Sequence, residues 1–336
     1  MYRKLAVIVV LLALGTPVVR AQTPAEPQVY EPSPSFATDA TETPRTEDWT
    51  TIDVTKSGLP THAAGAVALS KTEEPECTRE LLRVQWRPGD PIDLYVIRPR
   101  GVAKPPVVLF LYNYTADTDI FRADGWCRQV KQNGFAVVGF GSALSWQRFH
   151  LPRPMKQWFV SEMQEALATS THDVQMVLNY LDTRGDLDMQ RVGMFGQGSG
   201  GSIAILAAAA DSRIGALDLL NPWGDWPDWL KGSKQIPEEE RAAYLKPEFL
   251  QKISNLDPVI YLPHLKTKAI CIQQVMTDPV TPPAARDKIA GAAPRPNEVT
   301  RYQNRMEQEK DWGPSGGFAW LGEQLHSSSI TTSRLQ

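Results

Sequence analysis

The chain is predicted to be α/β, with a doubly wound, mostly parallel sheet covered by helices on both faces. Three patterns predict it: continuous apolar runs of strand length, segments of helical periodicity alternating with them, and an apolar/polar hairpin ahead of both. Residues 81–86 and 92–97 alternate in polarity, and Arg87-Pro88-Gly89-Asp90 between them has turn chemistry, so these two segments should form an antiparallel hairpin. The runs 106–112 and 135–140 show no alternation, as expected of strands buried on both faces of a parallel sheet. Between them, 121–132 has helical spacing and stops at Asn133-Gly134. Next come a long helix over 162–181, closed by Arg184-Gly185-Asp186, a strand at 191–195 and an alanine-rich helix over 199–210. Strands at 216–220 and 269–273, a helix at 284–292, a strand at 298–302 and a helix at 318–325 complete the alternation. Between the strands at 216–220 and 269–273 the chain carries a helical pattern from 237 to 253.

Only part of the chain has this patterning. Arg3 and Lys4 precede an apolar run from Leu5 to Leu14, Gly15 and Pro17 interrupt it, and Val19 and Ala21 are small, the pattern of a signal peptide cut after Ala21. The run is too short to span a bilayer, and no later segment is long and apolar enough to do so. Residues 22–48 are rich in Pro, Thr and Glu and carry six acids against one arginine, as a disordered linker does. The expected folded domain is 49–325, with a flexible tail at 326–336, in an exported protein that is either periplasmic or secreted. Export would allow Cys77 and Cys127 to pair, whereas Cys271 lies in an apolar strand run and reads as a small core residue.

Composition narrows the function. The net charge is −3, and it falls to −6 without Arg3, Lys4 and Arg20; no stretch interleaves basic and aromatic residues, which argues against nucleic acid as a partner. Three scattered cysteines and five histidines, with no CxxC or HExxH spacing, imply no metal site, and no cofactor is expected. A small-molecule substrate or ligand is the expected partner, and the oligomeric state stays open.

The chemistry concentrates at Gly196-Gln197-Gly198-Ser199-Gly200-Gly201, which ends one strand and opens the alanine-rich helix. On this motif, on Asp278-Pro279-Val280-Thr281-Pro282 and on the strand order, the chain resembles the α/β-hydrolase family. The similarity is greatest to its exported branch of dienelactone hydrolases and prolyl-oligopeptidase-like esterases. The resemblance implies an eight-stranded α/β-hydrolase fold with a helical lid at about 221–262, a Ser, Asp and His triad, and an oxyanion hole. The family pattern Gly-x-Ser-x-Gly admits two registers here. In one, Gly198 occupies the nucleophile position, where positive φ suits glycine, and Ser199 supplies an oxyanion N–H; in the other, Ser199 is the nucleophile of a shifted elbow. Asp278 follows a buried strand, as the family's acid does. Residues 304–317, where the family places its histidine, contain none; His326 lies about nine residues beyond the start of the last helix, on the order of 14 Å away. Tyr112 or Asn113 would give the second oxyanion N–H. Trp223 and Trp226 in the lid could line a pocket, as could Trp146, Trp158 and Phe159. Two functions follow: a serine hydrolase of small esters or acyl compounds, using Ser199 and Asp278, or a catalytically inactive pseudo-hydrolase that binds a ligand or partner in the old pocket.

Overall fold

A computed structural model describes residues 47–62, 65–114, 116–145, 148, 163–313 and 317–327. The expected signal peptide, nearly all of the linker, most of the tail, and Trp146, Trp158 and Phe159 lie outside these residues. Nine strands form one sheet: β1 (Ala66–Glu73), β2 (Cys77–Val84), β3 (Ile92–Pro99), β4 (Pro106–Leu111), β5 (Ala136–Phe140), β6 (Asp188–Gln197), β7 (Ile214–Leu220), β8 (Ala269–Val275) and β9 (Glu298–Tyr302), in the order β1-β2-β3-β5-β4-β6-β7-β8-β9. The first three are antiparallel to their neighbours and the rest are parallel. This is the α/β-hydrolase fold, a mostly parallel sheet with helical insertions. The sequence reading included neither β1 nor a ninth strand.

Side-chain alternation sorts the sheet into two faces. Val107, Leu109, Leu111, Met194, Leu217 and Leu219 pack on one face under α2 (Met163–Asp182) and α3 (Ser199–Ala210). On the other, Val108, Phe110, Phe195, Ala216 and Leu220 meet α1 (Gly125–Asn133) and α10 (Ala319–Ser327). Every residue of β4 and β5 is buried, which is why their sequences show no alternation. A disulfide joins Cys77 of β2 to Cys127 of α1, and Cys271 is free and buried.

The insertion after β7 comprises α4 (Trp226–Gly232), α5 (Glu238–Tyr244), α6 (Pro247–Ile253) and α7 (Pro258–Tyr261). The single helix expected over 237–253 is therefore divided. Pro247 has no N–H to donate and disfavours helical backbone at Lys246, which is extended at φ −67°, ψ 142°. The helix expected over 121–132 is likewise a 3-10 turn, Thr118–Arg122, followed by α1. After β8, α8 (Pro283–Ala292) leads to β9, and α9 (Arg305–Trp312) lies within 304–317, the segment expected to be a loop. The elbow and Asp278 both lie beyond the carboxyl ends of parallel strands, where open α/β sheets hold ligands.

Candidate functional site

The site is built around the turn from β6 into α3. Gly198 stands at its corner with φ 56° and ψ −118°, a conformation that costs most L-residues free energy. Its neighbours fix the register. A Cβ on Gly196 would lie 2.6 Å from the Gly200 carbonyl oxygen, and one on Gly200 would lie 2.1 Å from that of Leu111. Strand, helix and the end of β4 thus converge too closely for side chains two residues on either side of Gly198. The Gly198 N–H donates to the Leu220 carbonyl at 2.9 Å, tying the corner to the end of β7.

Asn113 fills the space at this corner. Its Oδ1 lies 2.9 Å from where a Cβ on Gly198 would be. The same oxygen accepts from Ser199 Oγ at 3.2 Å and faces the Ser199 N–H at 3.5 Å. Ser199 is fully buried, and its Oγ also accepts from the Tyr114 N–H at 2.9 Å. The hydroxyl proton is thus directed at an amide oxygen, and the Ser199 N–H faces that same oxygen.

Asp278 follows β8 by a few residues, and its two carboxylate oxygens accept from the backbone N–H groups of Val280 at 3.2 Å and Thr281 at 3.1 Å. It caps its own turn. His326 contacts the Asn133 carbonyl at 3.0 Å, at the end of α1 and ahead of β5, hence at the amino end of the parallel strands. A six-residue strand such as β4 separates the two ends of the sheet by roughly 17 Å, at about 3.3 Å per residue. His326 is thus not brought to the elbow. His172 is fully buried against Glu47 and Thr51, and His62 and His264 are exposed. His150 lies outside the described residues. Among those described, no histidine contacts Ser199 or Asp278.

Trp223 and Trp226 are 2% and 1% exposed. Trp223 packs on Trp229 with ring centroids 4.7 Å apart, and its Nε1 lies 3.2 Å from the Cβ position of Gly198. Trp226 donates through Nε1 to the Leu256 carbonyl at 3.1 Å. The two rings pin the lid to the core and line no part of the open cleft. Asp257 assists by accepting from the N–H groups of Asp225 and Trp226 at 2.8 and 2.9 Å.

The open cleft lies alongside, over the ends of β6, β7 and β8, with a volume of about 410 Å³. Tyr112, Leu220, Val275 and Trp312 supply its apolar wall, and Gln197, Gln308 and Asp278 are among its polar residues. The Tyr112 ring packs among Phe110, Phe121 and Phe195, and burial pushes its phenol above the ordinary tyrosine range. Trp312 donates through Nε1 to Gln273 Oε1 at 2.7 Å. At the rim, Arg305 pairs with Glu309 at 2.8 Å. Sequence reasoning missed Gln308 and Trp312, although Asn304 followed three residues later by Glu307 is a helix-start signal. The Asn304 side chain does accept from the Glu307 N–H at 3.0 Å. One group of metal-capable side chains occurs among the described residues, Glu74 with Cys77 and Cys127, and there the two sulfurs are bonded to each other.

No family model and no curated protein sequence matches the chain. Solved structures do. Acetyl xylan esterase 1 from Thermoanaerobacterium sp. is 15% identical, with 79% of this chain and 90% of that one covered at a TM-score of 0.63. An S-formylglutathione hydrolase from Agrobacterium tumefaciens is 14% identical over 77% of this chain and 99% of its own, at a TM-score of 0.57. Pyrococcus horikoshii acylaminoacyl peptidase is 12% identical, covering 73% of this chain but only 40% of its own, at 0.55. Likeness at such identities is one of architecture, and by architecture the chain has the α/β-hydrolase fold.

Proposed function

We propose that this is a non-catalytic α/β-hydrolase-fold protein that binds an uncharged small molecule in the cleft beside the elbow. One observation carries the reading: the corner that would present a nucleophile holds Gly198, and Asn113 occupies the space its side chain would need. Ser199, one residue on, is fully buried and its hydroxyl is engaged at both its donor and acceptor sides. A serine hydroxyl without a base is a poor nucleophile, and no imidazole among the described residues contacts it.

The cleft supports a neutral ligand. Tyr112, Gln197 and Gln308 line it, and none of their side chains has a hydrogen-bond partner among the described residues. The charged groups nearby are already matched, Asp278 by its own turn and Arg305 by Glu309. Neutral donors and acceptors on an apolar wall suit a molecule with an apolar face and uncharged polar groups, and the volume is within the range of small-ligand sites. The segment 1–21 and the Cys77–Cys127 bridge support export; amino-terminal sequencing of the exported protein should begin at Gln22.

The test uses wild type and Ser199→Ala with activated short-chain esters and a fluorophosphonate probe. Neither turnover nor labelling is expected. Robust hydrolysis lost in Ser199→Ala with the fold intact would establish the serine-hydrolase alternative instead. In parallel, neutral and charged fragments are screened by saturation-transfer NMR; neutral fragments should bind and Gln308→Leu should weaken them. Equal binding of carboxylates, or binding indifferent to Gln308→Leu, would exclude the neutral-ligand assignment.

A further inference from the structure

Far along the sheet from the cleft, a charged cluster joins the segment 47–57 to α2. Asp173 of α2 is fully buried and accepts from Trp86 Nε1 at 2.8 Å, from Arg148 Nη1 at 2.6 Å and from Arg87 Nη1. Burial alone would raise its pKa, but Arg148 and Arg87 hold it below the ordinary range. Arg148 reaches Asp90 through Nε and Nη2, at 3.0 and 2.5 Å. Arg87 grips Glu47 through Nε and Nη2, at 2.5 and 2.7 Å. The chain of contacts ends at His172, whose Nδ1 lies 2.6 Å from Glu47 Oε1 and whose Nε2 lies 3.0 Å from the Thr51 carbonyl oxygen.

Both partners of this ring accept hydrogen bonds and donate none. A neutral imidazole carries one N–H, so it can satisfy only one of them; an imidazolium satisfies both. Charge leads to the same form. With His172 protonated, the cluster holds three cations (His172, Arg87, Arg148) against three anions (Glu47, Asp90, Asp173); without that proton it keeps an unbalanced buried anion. Among the described residues, the other charged groups near the ring are Asp48 on the same segment, which caps Thr50, and Glu165, which stands at the edge of the adjoining cavity.

We infer that His172 is a proton-operated latch that fastens the segment leading out of the amino-terminal region onto α2. The neighbouring attachment does not titrate: Gln175 donates through Nε2 to the Ile52 carbonyl at 2.7 Å and accepts through Oε1 from the Val54 N–H at 3.1 Å. Loss of the proton therefore removes one of the ring's two hydrogen bonds and leaves Glu47 to Arg87 alone, which loosens the 47–51 end while 52–54 stays held. The Asp48 N–H, bonded to the Ser57 carbonyl at 2.8 Å, reports the first end, and the Val54 N–H reports the second.

The test is made on the purified full chain, isotopically labelled, between pH 5.5 and 8.5. Long-range imidazole spectra should show both His172 nitrogens protonated while the segment is closed. Protection of the Asp48 amide, corrected for intrinsic exchange, should then fall toward tenfold per pH unit as one proton is lost, while Val54 changes less. His172→Gln should abolish the slope and leave Asp48 poorly protected throughout. Should that variant fail to fold, Glu47→Gln, which keeps an acceptor but removes the balancing charge, should move the loss of protection to lower pH. A singly protonated ring under a fully protected segment, Asp48 protection in wild type independent of pH, or a transition unmoved by Glu47→Gln would each overturn the latch.

Discussion

Asp218→Asn is expected to stabilise the protein at alkaline pH and to do almost nothing in acid. Asp218 lies within β7 opposite Cys271, fully buried, with Oδ1 accepting from Gln273 Nε2 at 2.7 Å and Oδ2 unpartnered among the described residues. Burial pushes its carboxyl up from 3.8 to about 7, against the smaller opposing effect of the Gln273 hydrogen bond. At about 1.4 kcal/mol per pKa unit, a shift of roughly three units makes ionisation in the fold cost about 4 kcal/mol. Because the folded pKa is the raised one, the folded state keeps a proton that the unfolded chain releases above about pH 4. This contribution to stability is therefore complete below that pH and is lost progressively as pH rises toward 7. An asparagine has the same shape, cannot ionise, and keeps an acceptor for Gln273. Urea unfolding at pH 4.5, 6 and 8 should find the two proteins within about 1 kcal/mol of each other at the lowest pH and the variant ahead by about 2–4 kcal/mol at the highest. An identical difference at all three pH values would refute the reasoning, since it would mean that Asp218 does not titrate in the fold.

Three further outcomes are expected. Gly198→Ser should lower stability by about 1–3 kcal/mol in chemical denaturation, because φ of 56° strains serine and its Cβ meets Asn113, and esterase assays should find no activity gained. Reducing the Cys77–Cys127 bridge, which closes a loop across 50 residues of sequence, should cost about 4 kcal/mol in the chain-entropy account, read as a fall in thermal midpoint on adding reductant. Trp229→Ala, which empties a fully buried site between Trp223 and Trp226, should cost about 3–5 kcal/mol by urea unfolding, whereas the exposed Met306→Ala should stay within about 0.5 kcal/mol of wild type.

The parallel strands were legible because burial on both faces leaves one signature, an unbroken apolar run, and 106–112 and 135–140 carry it. β1 left a weaker trace: the apolar run Ala66-Val67-Ala68-Leu69 gives way to Ser70-Lys71-Thr72-Glu73, all its residues after Ala66 are exposed, and its ladder to β2 makes it a strand. The glycines around Gly198 were legible because steric crowding at the elbow acts over a few residues of sequence. Asn113 was read there as a source of a backbone N–H; that its side chain reaches Ser199, 86 positions away, is a property of the fold alone. Distance along the chain hid the latch too, since residues 47, 87, 90, 148, 172 and 173 meet only after the sheet is assembled.

Those long-range contacts bear on how the elbow can change. A turn that had merely lost its nucleophile would keep a void and two unsatisfied groups, the Ser199 hydroxyl and the backbone N–H beside it. Here both face Asn113, and the Tyr114 N–H completes the hydroxyl's partners. The corner is thus packed and hydrogen-bonded as it stands, and in such an environment a displaced buried polar group costs more than a new one gains. Placing serine at 198 would require moving Asn113, which would leave the Ser199 hydroxyl proton without its acceptor, and no imidazole among the described residues contacts Ser199. On the proposed reading catalysis would take several coupled changes at this corner, while the adjoining cleft, whose Tyr112, Gln197 and Gln308 take no part in the corner's hydrogen bonding, could bind a ligand without any of them.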